Sequence, residues 1–277
     1  MPLIYRHLRA LLFIGMSLYS IVIFPNPCDD GYNEWWKSQN SLGYRDAQGY
    51  SIFTGLDRSG IPRHGVPSRR RVPPGIKTPS GEYVTGYDLG TVLQGLGIQH
   101  LRDYRGKTVL TVGEGYSGLL GGLLDEGAMA TALDKEYFTP NLPPGPETTK
   151  LRSFEIGFSE HLVRADATNF AVATDSPLHG KKYDSILGHL LVNNIDDHAD
   201  ATSVIRNCVM ALRDDGGVLK LSGFTKSDLE NYFIPQVIPA LEKELHSSLW
   251  VRYVQTEGVG FSNWLLEIEK SPGNLVK

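Results

Sequence analysis

The stretch "TVLTVGEGYSGLLGGLLDEGAMATALD", residues 108–134, sets Gly113, Gly115 and Gly118 in the pattern Gly-x-Gly-x-x-Gly and ends in the carboxylate of Asp134. The glycines allow a tight turn, a close backbone approach by a ligand, and close packing of a helix on a strand. Asp134 follows 21 residues after the first glycine, at the predicted end of the next strand. There it can accept from both hydroxyls of a ribose. The constellation reads as a grip on an adenosine-containing cofactor; the alternative is a glycine-rich turn with an incidental acid.

The turn alone does not separate a nicotinamide dinucleotide from S-adenosylmethionine (SAM), since both present an adenosine. Glu114 favours the second. A pyrophosphate prefers a bare helix N-terminus, whose amides and dipole attract anions, and an acid inside the turn would repel it. A sulfonium gains nothing from that dipole and gains from a nearby acid.

The elements that must position these groups follow from the apolar pattern. "KTVLTV" reads as a short buried strand, "SGLLGGLLDEG" as a helix closed by Gly127, and "AMATALD" as the second strand. Residues 139–150, "TPNLPPGPETTK", read as a proline-rich loop, and "HLVRADAT" and "YDSILG" as further strands. Asp166 and Ala167 end the third strand, where a carboxylate and a following N–H can meet an adenine edge. Gly188 and His189 end the fourth, over the reactive end of the cofactor. Residues 196–217 read as a helix, capped by Asp196 or Asp197 and stopped by Gly216-Gly217. Its apolar residues, Ala201, Val204, Ile205, Cys208, Val209 and Leu212, form one stripe at helical spacing. "VLKLS" is the next strand, and repeated β-α-β units imply a mostly parallel sheet covered on both faces. The runs 249–256 and 263–269 lie too close for a helix between them, so they pair as an antiparallel hairpin.

These pieces, in this order and spacing, resemble the class I SAM-dependent methyltransferase family. "VLTVGEGYSG", "ALD", "RADATNF", "YDSILGHLLVNNI" and "LRDDGGVLKLS" fall where that family places its cofactor turn, ribose acid, adenine acid, fourth strand and fifth-strand entry. The resemblance covers roughly residues 105–270. It implies a three-layer, Rossmann-like α/β sandwich whose seven-stranded, mostly parallel sheet has its last strand reversed. It implies SAM as cofactor, with Gly113, Glu114, Gly115, Tyr116 and Gly118 around its amino-acid and ribose parts. Asp134 would hold the ribose, Lys135 would lie beside the adenine, Asp166 and Ala167 would read the adenine edge, and Gly188 and His189 would face the methyl group. The chain departs from the family at Thr111. An acid usually stands there, two residues before the first glycine, and its loss puts one contact near the cofactor's amino-acid end in doubt.

The expected activity is methyl transfer to a small-molecule acceptor, with His189 as the base, since an imidazole titrates near neutral pH. One alternative is a non-catalytic SAM-binding module of the same fold. A short-chain dehydrogenase using NAD is the other, because "LLVNNI" at 190–195 resembles that family's Asn-Asn stretch. That chemistry needs a Tyr-x-x-x-Lys pair, and none of the thirteen tyrosines has lysine four residues on. The acids of "NNIDDHAD" are explained by helix capping, so no metal is expected.

With a net charge of −4, the whole molecule has no pull toward nucleic acid or anionic lipid. Two cysteines, Cys28 and Cys208, exclude a disulfide framework. Residues 1–30 hold Arg6, His7 and Arg9 ahead of an apolar run from Ala10 to Phe24, short for a spanning helix and suited to a signal or marginal anchor. Membrane association through residues 8–24 is expected, with a cytoplasmic location as the alternative. Residues 31–104 form an extension, with dense aromatics (Tyr32, Trp35, Trp36) read as a cap and residues 58–77 as a Pro/Arg-rich loop. Residues 105–271 form the SAM-binding domain.

Overall fold

The computed structural model describes residues 75–87, 89–192, 195, 197–256 and 263–271. The apolar run and the aromatic stretch before residue 75 lie outside these residues, as do Asn193, Asn194 and Asp196. Among the described residues no helix is long and apolar enough to cross a membrane.

A small antiparallel ladder, β1 (Ile76–Lys77) with β2 (Tyr83–Val84), precedes α1 (Leu89–Gly95). The main sheet comprises β3 (Thr108–Val112), β4 (Met129–Asp134), β5 (Leu162–Arg164), β6 (Ser185–Gly188), β7 (Gly217–Phe224), β8 (Ser248–Thr256) and β9 (Asn263–Ser271). Its order is β5-β4-β3-β6-β7-β9-β8. β3 to β7 run parallel, while β9 is antiparallel to both neighbours, β7 and β8. The final strand is therefore reversed, as the closely spaced C-terminal runs required.

Two apolar layers bury the sheet. One face is covered by α1, α2 (Leu119–Asp125) and α3 (Pro146–Gly157), through residues that include Val92, Leu119, Leu120, Leu123 and Phe154. The other is covered by α4 (His198–Ala211), through Val204, Ile205, Cys208 and Val209. Beside it lies α5, a helical run of Lys226–Asp228, a π-helical stretch Leu229–Val237, and Ile238–Leu245, which contributes Phe233 and Leu241. Each fully buried aliphatic side chain contributes roughly 1.5–3 kcal/mol. Cys208 lies among these side chains, and burial pushes its thiol up out of reach of ionisation. It is a core residue.

Four local expectations change. α3 begins at Pro146, inside the stretch read as loop, because proline at the first turn needs no N–H and has its φ preset. α4 ends at Ala211 rather than at the glycines. Leu212 is extended and bridges Tyr183, which draws the chain back toward the sheet. β5 is only three residues long, since Asp166 folds back to accept from Thr168. Ile76 and Lys77 leave the predicted loop to form β1.

Candidate functional site

A cleft of about 480 Å³ opens where β3, β4 and β5 end. That is within the usual range for small-molecule sites and at the place where open α/β sheets bind ligands. Its floor includes Gly113, Gly115, Leu133 and Asp134, and one wall Lys135, Glu136, Asp166, Ala167 and Thr168. The opposite wall comes from Leu191, Ile195 and the start of α4, with Asp197, Asp200 and Val204. Glu82, Tyr83, Val84 and Thr85 close it from the N-terminal side.

Asp134 is half-buried at the end of β4. Its Oδ2 accepts from the Gly115 amide at 3.0 Å and its Oδ1 from the Glu136 amide at 2.9 Å. Burial raises its pKa, and these two amides pull it back toward ionisation. A carboxylate oriented in this way at the cleft floor can accept from a ribose.

The glycine turn is shaped by positive φ at Gly113 (65°) and Gly115 (59°). A Cβ on Gly115 would lie 2.0 Å from the Thr85 carbonyl oxygen. The close approach predicted here is thus made by the chain itself. Residues 85–87 cross the turn, with Tyr116 N donating to Thr85 O and Gly118 N to Tyr87 O, each at 3.2 Å.

Glu114 turns inward and is buried. Its Oε1 accepts from the Ser117 hydroxyl and from Leu120 N, the latter at 3.2 Å. Desolvation raises its pKa to about 7, against the pull of those donors. The amides of Ser117 and Leu119 meet Glu114 O and Ser117 Oγ. Every amide from Gly115 to Leu120 therefore has an acceptor within the chain. The anion-binding capacity of this helix start is already used, and Glu114, expected beside the ligand, serves it from behind.

The remaining predicted residues divide. Lys135, Asp166 and Ala167 line the cleft with Asp134. Lys135 Nζ pairs with Glu82 Oε1 at 2.9 Å across the rim, a contact that raises the lysine pKa. Tyr116, Gly118, Gly188 and His189 are not among the lining residues. The Tyr116 hydroxyl donates to Glu147, and Gly118 packs on Leu89. At Gly188 a Cβ would strike Leu221. His189 wedges between Tyr87, edge-to-face at 5.0 Å, and Gly95 of α1. It is half-buried, its buried Nε2 has no hydrogen-bond partner, and desolvation lowers its pKa to about 4. A neutral imidazole set in that layer does not reach the cleft, contrary to the role expected of it.

Sequence reasoning missed the contribution of Glu82 to Thr85, since two-residue strands leave no periodicity. Leu191 and Ile195 were legible only as apolar residues after a strand. Among the described residues no cluster of three or more His, Cys, Asp or Glu could hold a metal ion.

No family model matches the sequence, and no curated protein is similar to it. Among solved structures, the chain is similar to the N-methyltransferase NodS from Bradyrhizobium japonicum in complex with S-adenosyl-L-homocysteine (SAH). The identity is 16% over 59% of this chain and 77% of that one, with a TM-score of 0.38. It is also similar to a TehB-like SAM-dependent methyltransferase from Corynebacterium glutamicum (15% identity, 60% and 81% covered, TM-score 0.41). A putative RNA methyltransferase from Pyrococcus horikoshii matches at 15% identity, 62% and 79% covered, TM-score 0.41. The strand order and the place of the cleft decide the fold. With β9 reversed beside β7 and the glycine turn between β3 and α2, the chain has the fold of the class I SAM-dependent methyltransferases.

Proposed function

We propose that the protein binds SAM and transfers its methyl group to a small-molecule acceptor. One observation carries the choice of cofactor: the amides from Gly115 to Leu120 are all satisfied internally, while Asp134 still lines the cleft. A dinucleotide needs those amides for its pyrophosphate. A nucleoside joined to a sulfonium needs the carboxylate and not the amides. The residues fit the second ligand.

Bound SAM supplies an electrophilic methyl group for in-line displacement. The chain's own residues bind and orient. Asp134 holds the ribose, Asp166, Ala167 and Lys135 flank the adenine, and Leu191, Ile195 and Val204 give an apolar wall that excludes water. Against Lys135 the lining sets Glu82, Asp134, Glu136, Asp166, Asp197 and Asp200. Such a surface repels a polyanion and supports a small neutral or cationic acceptor over nucleic acid.

Calorimetry on the full chain with SAH, SAM and NADH in parallel tests the reading. SAH and SAM are expected to bind and NADH not; the reverse order would overturn the choice of cofactor and make the cleft a dinucleotide site. A second reading, a SAM-binding module without turnover, is favoured by one feature, the placement of His189 away from the cleft. Transfer of labelled methyl from SAM to any member of an amine and phenol panel decides between the two. Membrane association through residues 8–24 belongs to the proposal, and fractionation of the full chain beside a form starting at Met16 tests it.

A further inference from the structure

We infer that Glu114 is the positioning residue of this site: from behind the cleft it holds the glycine turn in the shape that aims the Gly115 N–H at Asp134, doing from position 114 what no acid does from position 111. The inference rests on the reading of the cleft as a SAM site.

Glu114 ties the turn to Ser117 at two points and to the first turn of α2 at a third. Its carboxyl accepts from the Ser117 hydroxyl and from Leu120 N, and its carbonyl accepts from Ser117 N at 3.3 Å. The next residue, Gly115, donates to Asp134 Oδ2. A turn with glycine on both sides of Glu114, each at positive φ, has little preference of its own for one conformation and loses much chain entropy when fixed. Ties are needed to fix it, and these contacts supply a share of them beside the crossing at Thr85 and Tyr87.

The setting of Thr111 supports the same conclusion. Its side chain is fully buried on β3. Its hydroxyl stands beside the Glu114 carboxyl, short of full hydrogen-bond geometry, and favours the charged form of that carboxyl. Position 111 therefore faces the same interior space, and a carboxylate placed there would address the same donors. If Glu114 were only a satisfied core residue, its removal would lower stability without a specific effect on the ligand, and a carboxylate at 111 would not restore binding.

The test is SAH calorimetry with thermal melting on the full chain and on Glu114→Ala, Glu114→Gln, Glu114→Asp and the double variant Thr111→Asp/Glu114→Ala. Glu114→Ala is expected to weaken SAH binding at least tenfold. Glu114→Gln should stay within threefold of wild type, because an amide oxygen accepts the same bonds. The double variant should recover most of the loss. Glu114→Asp, too short to reach Leu120, should bind as poorly as Glu114→Ala, and it stands in if the alanine variant does not fold. Wild-type affinity in Glu114→Ala or Glu114→Asp overturns the inference, as does a folded double variant that binds no better than Glu114→Ala. Absence of SAH binding by wild type would instead strike the reading of the cleft.

Discussion

The Gly115 amide and the Asp134 carboxylate are joined by a 3.0 Å hydrogen bond that fastens the glycine turn to the end of β4. The same carboxylate lines the cleft, so one side chain both fixes the turn and faces the open space beside it. Hydrogen bonds to a charged group contribute about 1.5–3 kcal/mol each. Asp134→Ala is therefore expected to weaken SAH binding by one to two orders of magnitude, and Asp134→Asn by less. Calorimetry checks this, and unchanged affinity in the alanine variant would remove the ribose role.

Glu114 makes stability depend on pH in a direction unusual for a carboxylate. Its folded pKa of about 7 lies above the ordinary 4.5. The folded state therefore keeps a proton that the unfolded chain releases, and stability from this group is fully present below 4.5. It is lost as pH rises to 7 and level thereafter. The loss is on the order of 3 kcal/mol at 1.36 kcal/mol per unit. Urea melts of wild type and Glu114→Gln at pH 5, 6, 7 and 8 should show wild type losing ground to the variant up to neutrality. Parallel curves would show that the carboxyl is ionised throughout.

His189 works in the opposite sense. Its folded pKa of about 4 lies below the ordinary 6.5, so its contribution is present above 6.5 and is lost as pH falls toward 4. Compared with His189→Leu, wild type should weaken over that interval. The two windows overlap and partly cancel in wild type, so only the single variants separate them. The methyl-transfer rate of His189→Leu should show no lost inflection near pH 6–7; the disappearance of one would return the residue to the chemistry.

Gly115→Ala should cost roughly 2–4 kcal/mol, combining a left-handed backbone with a collision against Thr85 O. Gly81 supplies the control. Its φ is 93° but nothing lies within 4 Å of an added Cβ, so Gly81→Ala should cost only the backbone part, about 1–2 kcal/mol. Denaturant midpoints of the two variants measure the difference, and equal losses would mean that the residue 85 crossing is loose.

The sheet was legible because its signals are local. β3 and β4 are apolar runs, Gly113 to Gly118 punctuate them, Asp134 ends the second, and the C-terminal hairpin follows from spacing alone. The direction of Glu114 was not legible. A side chain next to a turn can face the ligand or the core, and that choice depends on Ser117 and Leu120 being oriented by a helix. Tertiary context hid α3 as well, since the prolines of 139–150 mask a helix that starts at the last of them. His189 was placed correctly at the end of β6, but its side chain is claimed by α1, an element whose packing no motif announces.

Leu191 lines the cleft beside the glycine turn. Its Cδ1 stands 2.6 Å from where a Cβ on Gly113 would lie, and its Cδ2 3.6 Å from the same point on Gly188. The residue before it, Leu190, sits at a φ of 53° with its amide held by Ser222 Oγ at 3.0 Å. The isobutyl group therefore stands between Gly113 and Gly188. On the SAM reading, adenosine is expected to enter without disturbing it, whereas a ligand bearing a methionine tail is expected to swing it aside. Stopped-flow traces should be single-phase for adenosine and biphasic for SAH, with the slow phase abolished in Leu191→Ala.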